Sequence, residues 1–116
     1  MVPKPRFPFR RARGLAVAGA PPYVLDIFDA GPEVADRYTI IFGRDLAVPP
    51  DSMHPYWSIQ YLAASIRPTS PAGVSQWGEF RERELRGYMR DTTDKRIGWQ
   101  DLPENVRAHV IFRAKE

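Results

Sequence analysis

The chain has 116 residues, enough for one domain of ordinary size and too few for two, and 43% of them are hydrophobic and 27% charged. It has no cysteine, which excludes disulfides, thiolate metal sites and cysteine nucleophiles, and no apolar run nears the roughly 18 residues a membrane-spanning helix needs. The net charge of +3 is uneven: Lys4, Arg6, Arg10, Arg11 and Arg13 bring +5 to the first 25 residues with no acid among them, so the remainder carries −2.

Residues 1–22 read as a basic, proline-rich, disordered extension. Pro3, Pro5, Pro8, Pro21 and Pro22 remove amide donors and disfavour helix in the residues before them, and the arginines repel one another. Arg10-Arg11 ahead of the apolar stretch Leu15–Ala20 has the outline of an export leader. That stretch is at the short end of the roughly 7–15 residues such leaders use, so a solvated tail is the expectation.

A single α+β domain is expected over residues 23–116. Tyr23–Phe28 is rich in β-formers and ends at Asp29-Ala30-Gly31-Pro32, and Arg37–Gly43 is β-branched and aromatic; the two read as an antiparallel pair joined by a long loop. The continuous run Ile40-Ile41-Phe42 implies that both faces of the sheet are covered, one of them by the last helix. Residues 44–55 form a loop around Pro49-Pro50 and Pro55. Trp57, Ile59, Tyr61 and Ala63 then alternate in a third strand over Tyr56–Ala64.

Ser65–Gly78 reads as a second loop, punctuated by Pro68, Pro71, Gly73 and Gly78, and Arg81–Tyr88 as a short exposed helix without an apolar stripe. For the last element Asp101 is the expected N-cap, with Glu104 closing a capping box, and Leu102, Val106 and Val110 recur every four residues to about Ala114. The fold class that follows is a small antiparallel sheet of three or more strands packed against a C-terminal helix.

Several segments taken together resemble a family of small uncharacterised proteins encoded by bacteriophages, plasmids and other bacterial mobile elements. They are Asp29-Ala30-Gly31, Asp36-Arg37-Tyr38-Thr39-Ile40, Tyr61–Ser65, Pro68–Glu79, Lys95-Arg96-Ile97 and Asp101–Val106, similar in order and spacing to that family's D-R-Y-T, S-x-x-P-x-x-P-x-G-x-x-Q-x-G-E and K-R-I-x-x-x-D-L-P-E motifs. The resemblance covers residues 23–113. It implies a mobile-element context and a compact α+β fold, and it supplies no activity; a cytoplasmic location in a bacterial host is the expectation that fits the absence of cysteine.

The most site-like feature is the segment from Ser65 to Glu79, where Ser65, Gln76, Trp77 and Glu79 stand on a proline-stiffened backbone. The plainer reading of Trp77 is a cap on the core. Arg37, paired with Asp36, is a candidate for a partner's carboxylate or phosphate, and a local salt bridge is its plainer role. His54 and His109 have no neighbours at ligand spacing, so no metal, no cofactor and no catalytic residue is expected. A phosphate-binding glycine loop, a nucleophile elbow and a His-Glu-x-x-His sequence are all missing.

The partner expected first is therefore a protein, met by a non-enzymatic binding domain. Nucleic acid is the second reading, through Lys4, Arg6, Arg10, Arg11 and Arg13, which interleave with Phe7 and Phe9, and a small enzyme of unknown reaction is the third. Tyr56, Trp57 and Tyr61 are a further aromatic candidate on the sheet face, with a core role as the plainer alternative.

Overall fold

The computed structural model describes residues 17–43 and 58–116. Five strands form one antiparallel sheet: β1 (Val24–Asp29), β2 (Tyr38–Phe42), β3 (Ser58–Ala64), β4 (Ser75–Arg81) and β5 (Lys95–Arg96), in the order β4-β3-β2-β1-β5. Helix α1 (Glu82–Asp91) leads from β4 at one edge towards β5 at the other, and α2 (Glu104–Arg113) ends the fold. The expected α+β class, with an antiparallel sheet and a C-terminal helix, is the one found.

Each face of the sheet has its own core. On the first, Val24, Ile27, Ile40, Phe42 and Leu62 pack with Val106 and Val110 of α2, all of them essentially solvent-free. On the second, Leu25, Phe28, Ile41 and Ile59 pack with Leu85 of α1. Burying a side chain such as Val106 contributes on the order of 2 kcal/mol before ordering costs. This two-sided burial is what the uninterrupted Ile40-Ile41-Phe42 run requires.

A β-bulge reconciles the sequence of β1 with that arrangement. Val24 pairs with Phe42 but Asp26 pairs with Ile41, so one extra residue is accommodated between them. The shift sends Ile27, not Asp26, into the α2-side core. Asp26 is left fully buried on the α1 side, where Arg96 of the neighbouring β5 reaches its Oδ2 at 3.0 Å. The same guanidinium lies over the Phe28 ring at 5.4 Å.

The structure departs from the sequence reading in four places. First, the segment expected to be a loop to Gly78 is a strand from Ser75, paired along its length with β3. Gly78 is not a turn residue there: a Cβ at that position would stand 2.3 Å from Cζ of Tyr61, so the glycine leaves room for the Tyr61 ring to lie across the strand.

Second, α1 does have an apolar stripe. Leu85, Tyr88 and Met89, at i, i+3 and i+4, all face the sheet. Third, Asp101 and Glu104 do not form a capping box. The residue at the helix start is Pro103, which holds Leu102 extended (ψ 139°) and accepts the Val106 and Arg107 amides itself. Asp101 instead closes a 3-10 turn at Trp99–Asp101, its carboxylate accepting the Gly98 amide at 2.8 Å.

Fourth, the sequence starts the domain at residue 23, whereas Val17 already belongs to the α2-side core, 3% exposed. Residues 1–16 lie outside the described residues.

Candidate functional site

Two connections meet at one end of the sheet. The first joins β1 to β2. It is braced by Arg37, whose Nε and Nη2 donate to the two oxygens of Asp29 at 2.8 and 3.1 Å, while Asp29 Oδ1 also accepts the Gly31 amide at 2.8 Å. Those bonds, the Arg37 hydrogen bond first, hold the Asp29 carboxyl below the usual carboxylate range. Arg37 therefore pairs with Asp29 across the loop rather than with its neighbour Asp36, and it serves as a loop brace.

The second connection joins β3 to β4. Ser65 Oγ accepts the Val74 amide at 2.9 Å, the Ser65 amide donates to the Val74 carbonyl at 2.9 Å, and the Gly73 amide donates to the Ser70 carbonyl at 2.8 Å. Gly73 is held where a Cβ would meet the Arg67 carbonyl oxygen at 2.1 Å, so this turn admits only glycine without moving backbone. Ser65 is thus a clasp on a tightly closed turn.

Two grooves flank the β1–β2 connection, and Val34 borders both. One, of about 430 Å³, lies between the two connections and is lined by Arg37, Ser65, Ile66 and Gly73. The other, of about 420 Å³, lies on the α1 side of the sheet and is lined by Tyr61, Gln76, Phe80, Tyr88, Asp36 and Asp94 among others. Both volumes fall in the size range of binding clefts.

The sequence candidates therefore divide. Gln76 is exposed in the second groove, while Arg37 and Ser65 line the first. Trp77 and Glu79 point to the opposite face. Trp77 also borders the second groove, but its ring is half-buried against Phe42 at 4.9 Å, carries the Arg113 guanidinium at 5.5 Å and donates Nε1–H to Glu116 at 2.7 Å. It caps the core. Glu79 is exposed, opposite Gln60 on β3.

Three aromatic residues that line the second groove, Tyr61, Phe80 and Tyr88, form a contiguous row. The ring centroids are 4.5 Å apart for Tyr61 and Phe80 and 5.2 Å for Phe80 and Tyr88. Only Tyr61 stands out in the sequence as a possible face residue; Phe80 and Tyr88 are hidden because the strand and helix carrying them read as loop and polar helix. Tyr88 donates its hydroxyl to Asp94 Oδ2 at 2.8 Å, and burial, reinforced by that carboxylate, pushes its pKa well above the ordinary phenol value. It remains a donor at every physiological pH.

Fold also joins a serine and a histidine that are far apart in sequence: Ser75 Oγ and His109 Nε2 are 2.5 Å apart. His109 is buried on α2, and burial together with the nearby Arg113 lowers its pKa, which favours the neutral ring in its hydrogen bond with Ser75. The pair lies on the α2 face, and neither residue lines either groove. It ties β4 to α2.

Among the described residues no group of three or more potential ligands is placed to hold a metal ion, and no helix is long and apolar enough to cross a membrane. Lys4, Arg6, Arg10, Arg11, Arg13, His54, Tyr56 and Trp57 lie outside the described residues. Compared with protein-family models, with curated proteins and with solved structures, the chain finds no match.

Proposed function

We propose that this chain is a non-enzymatic binding protein of a bacterial mobile element, which docks on a protein of its host or phage and modulates it, a defence or metabolic machine being the kind of target. The mobile-element context rests on the motif resemblance. The docking reading rests on one observation: a groove on the sheet face gathers exposed Gln76, a row of three aromatic side chains and two carboxylates beside loops closed by their own hydrogen bonds. A pre-ordered surface of this kind loses little entropy when a partner binds.

The test is capture of partners from bacterial lysate at about 0.5 M salt, where exposed charge contacts are screened, comparing the protein with its Gln76→Arg variant. Stoichiometric capture that the variant loses supports docking through this face. Equal capture by both moves the interface elsewhere.

A second reading is nucleic-acid binding through Lys4, Arg6, Arg10, Arg11 and Arg13, favoured by the concentration of cations around Phe7 and Phe9. It predicts anisotropy of labelled single-stranded DNA that falls steeply with salt and disappears when the five cations become glutamine. An unchanged signal in that variant removes the tail from consideration.

A further inference from the structure

The α1-side groove has a definite chemical character. Its aromatic row is continuous through Tyr61, Phe80 and Tyr88, and Gly78 keeps the Tyr61 ring flat against β4. Two carboxylates border it: Asp36 is exposed on the β1–β2 connection, and Asp94, after α1, is half-buried and held by the Tyr88 hydroxyl. No lysine or arginine among the described residues lines it, in a chain with more cations than anions.

Aromatic faces attract cations through the ring quadrupole, and a carboxylate beside such a face gives the cation a counter-charge. Among the described residues Arg96 lies over Phe28, Arg37 over Tyr38 and Arg113 over Trp77, while Tyr61, Phe80 and Tyr88 present aromatic surface beside the two carboxylates of this groove. Gln76, exposed at the same groove, offers both a donor and an acceptor suited to a peptide backbone.

We infer that this groove receives a cationic side chain, arginine in preference to lysine, from an extended segment of a partner protein. The inference rests on the docking reading of the same face. Arginine is preferred because its planar guanidinium stacks on an aromatic ring while bonding a carboxylate in two places, whereas an ammonium is a compact, strongly hydrated charge.

The test is an NMR titration of the full chain with three capped tripeptides, glycine-X-glycine with X as arginine, lysine or norleucine, and with free arginine. The arginine peptide is expected to shift the amides of Tyr61, Gln76, Phe80 and Tyr88 with a dissociation constant on the order of 1 mM. The lysine peptide should bind several-fold more weakly, and norleucine should leave these amides unmoved. Asp36→Asn with Asp94→Asn should weaken the arginine peptide about tenfold while the rest of the spectrum keeps its folded dispersion.

Equal shifts with norleucine overturn the cationic assignment and leave the docking reading standing. Free arginine binding as tightly as the peptide overturns a peptide partner in favour of a small-molecule site. If the ligand-free protein's groove amides move when Lys4, Arg6, Arg10, Arg11 and Arg13 become glutamine, the occupant is the chain's own N-terminus and the partner assignment falls. No shift with any peptide also overturns the inference, whatever the lysate capture shows.

Discussion

Asp29 and Arg37 close the β1–β2 connection on itself, eight residues apart in sequence and joined by two hydrogen bonds at 2.8 and 3.1 Å. Because the arginine depresses the carboxyl pKa below its ordinary 3.8, the contact stabilises the fold above that pH and loses its effect as pH falls through the lowered value. Replacing Arg37→Ala should therefore cause a modest fall in the urea midpoint near neutrality, and a deficit that shrinks as acid protonates Asp29. A deficit that persists undiminished in acid would show that Arg37 acts through packing instead.

His109 gives a second pH dependence of different origin. Burial first, and then Arg113, lower its pKa, with Glu116 opposing them and Ser75 hydrogen-bonded to the ring. The unfolded chain takes up a proton near the ordinary value of 6.5 before the native state does, so stability present above that pH falls as acid is added. Thermal melts between about pH 7 and about pH 5 should decline in the native protein and flatten in His109→Gln. A variant that keeps the same slope would assign the acid limb to another group.

Gly87 is the simplest target for stabilisation. It lies in the interior of α1, has no atom within 4 Å of where a Cβ would be, and does not have a positive φ. Gly87→Ala should raise stability by about 1 kcal/mol through helix propensity alone. A loss of stability would mean that α1 is packed differently at that turn.

The ion pair between β1 and the edge strand β5 sets a larger effect. Asp26 is fully buried where the bulge places it, and Arg96 meets its carboxylate at 3.0 Å while remaining 45% exposed. Arg96→Met keeps most of the stem packing and withdraws the charge, which should cost about 2 kcal/mol, less than a wholly buried pair would. Chemical denaturation checks this, and a loss below a few tenths would indicate that the bulge accommodates Asp26 without its ion pair.

How much of this was legible in the sequence depended on which residues repeat with a period. β1, β2 and β3 announce themselves through Val24–Phe28, Tyr38–Phe42 and the alternation of Ile59, Tyr61 and Ala63. α2 shows through Val106 and Val110, although the Pro103 start moves its cap two residues past the expected Asp101. β4 was hidden because its α1-facing residues are Gln76, Gly78 and Phe80: the glycine that makes space for Tyr61 looks like a turn signal. α1 was hidden because three contacts, Leu85, Tyr88 and Met89, suffice on a helix whose other positions are polar.

The candidate residues divide for a similar reason. Arg37 and Ser65 are polar residues in loops, which suggests a site, yet hydrogen bonds to Asp29 and Val74 spend them on closing those loops. Trp77 fulfils its plainer expectation and caps the core. Gln76 remains as the candidate beside the aromatic row, and its neighbours Phe80 and Tyr88 come from elements whose periodicity is too weak to see in one sequence.

The groove itself makes a structural prediction independent of any ligand. Gly78→Ala places a methyl group where the Tyr61 ring now lies, so the ring must swing off β4, at a cost of about 1 kcal/mol. Near-ultraviolet circular dichroism from the tyrosines should change while the far-ultraviolet spectrum stays the same. An unaltered tyrosine signal would mean that Tyr61 does not lie across Gly78.

The most direct measurement of the docking reading is photo-crosslinking in living bacterial cells, with a photoreactive phenylalanine analogue at Tyr61 in the groove and, as control, at exposed Glu104 on α2. The account predicts a discrete protein adduct from position 61 that is absent from position 104 and is suppressed by adding Gln76→Arg. Adducts of equal yield at both positions, or adducts that survive Gln76→Arg, would contradict it.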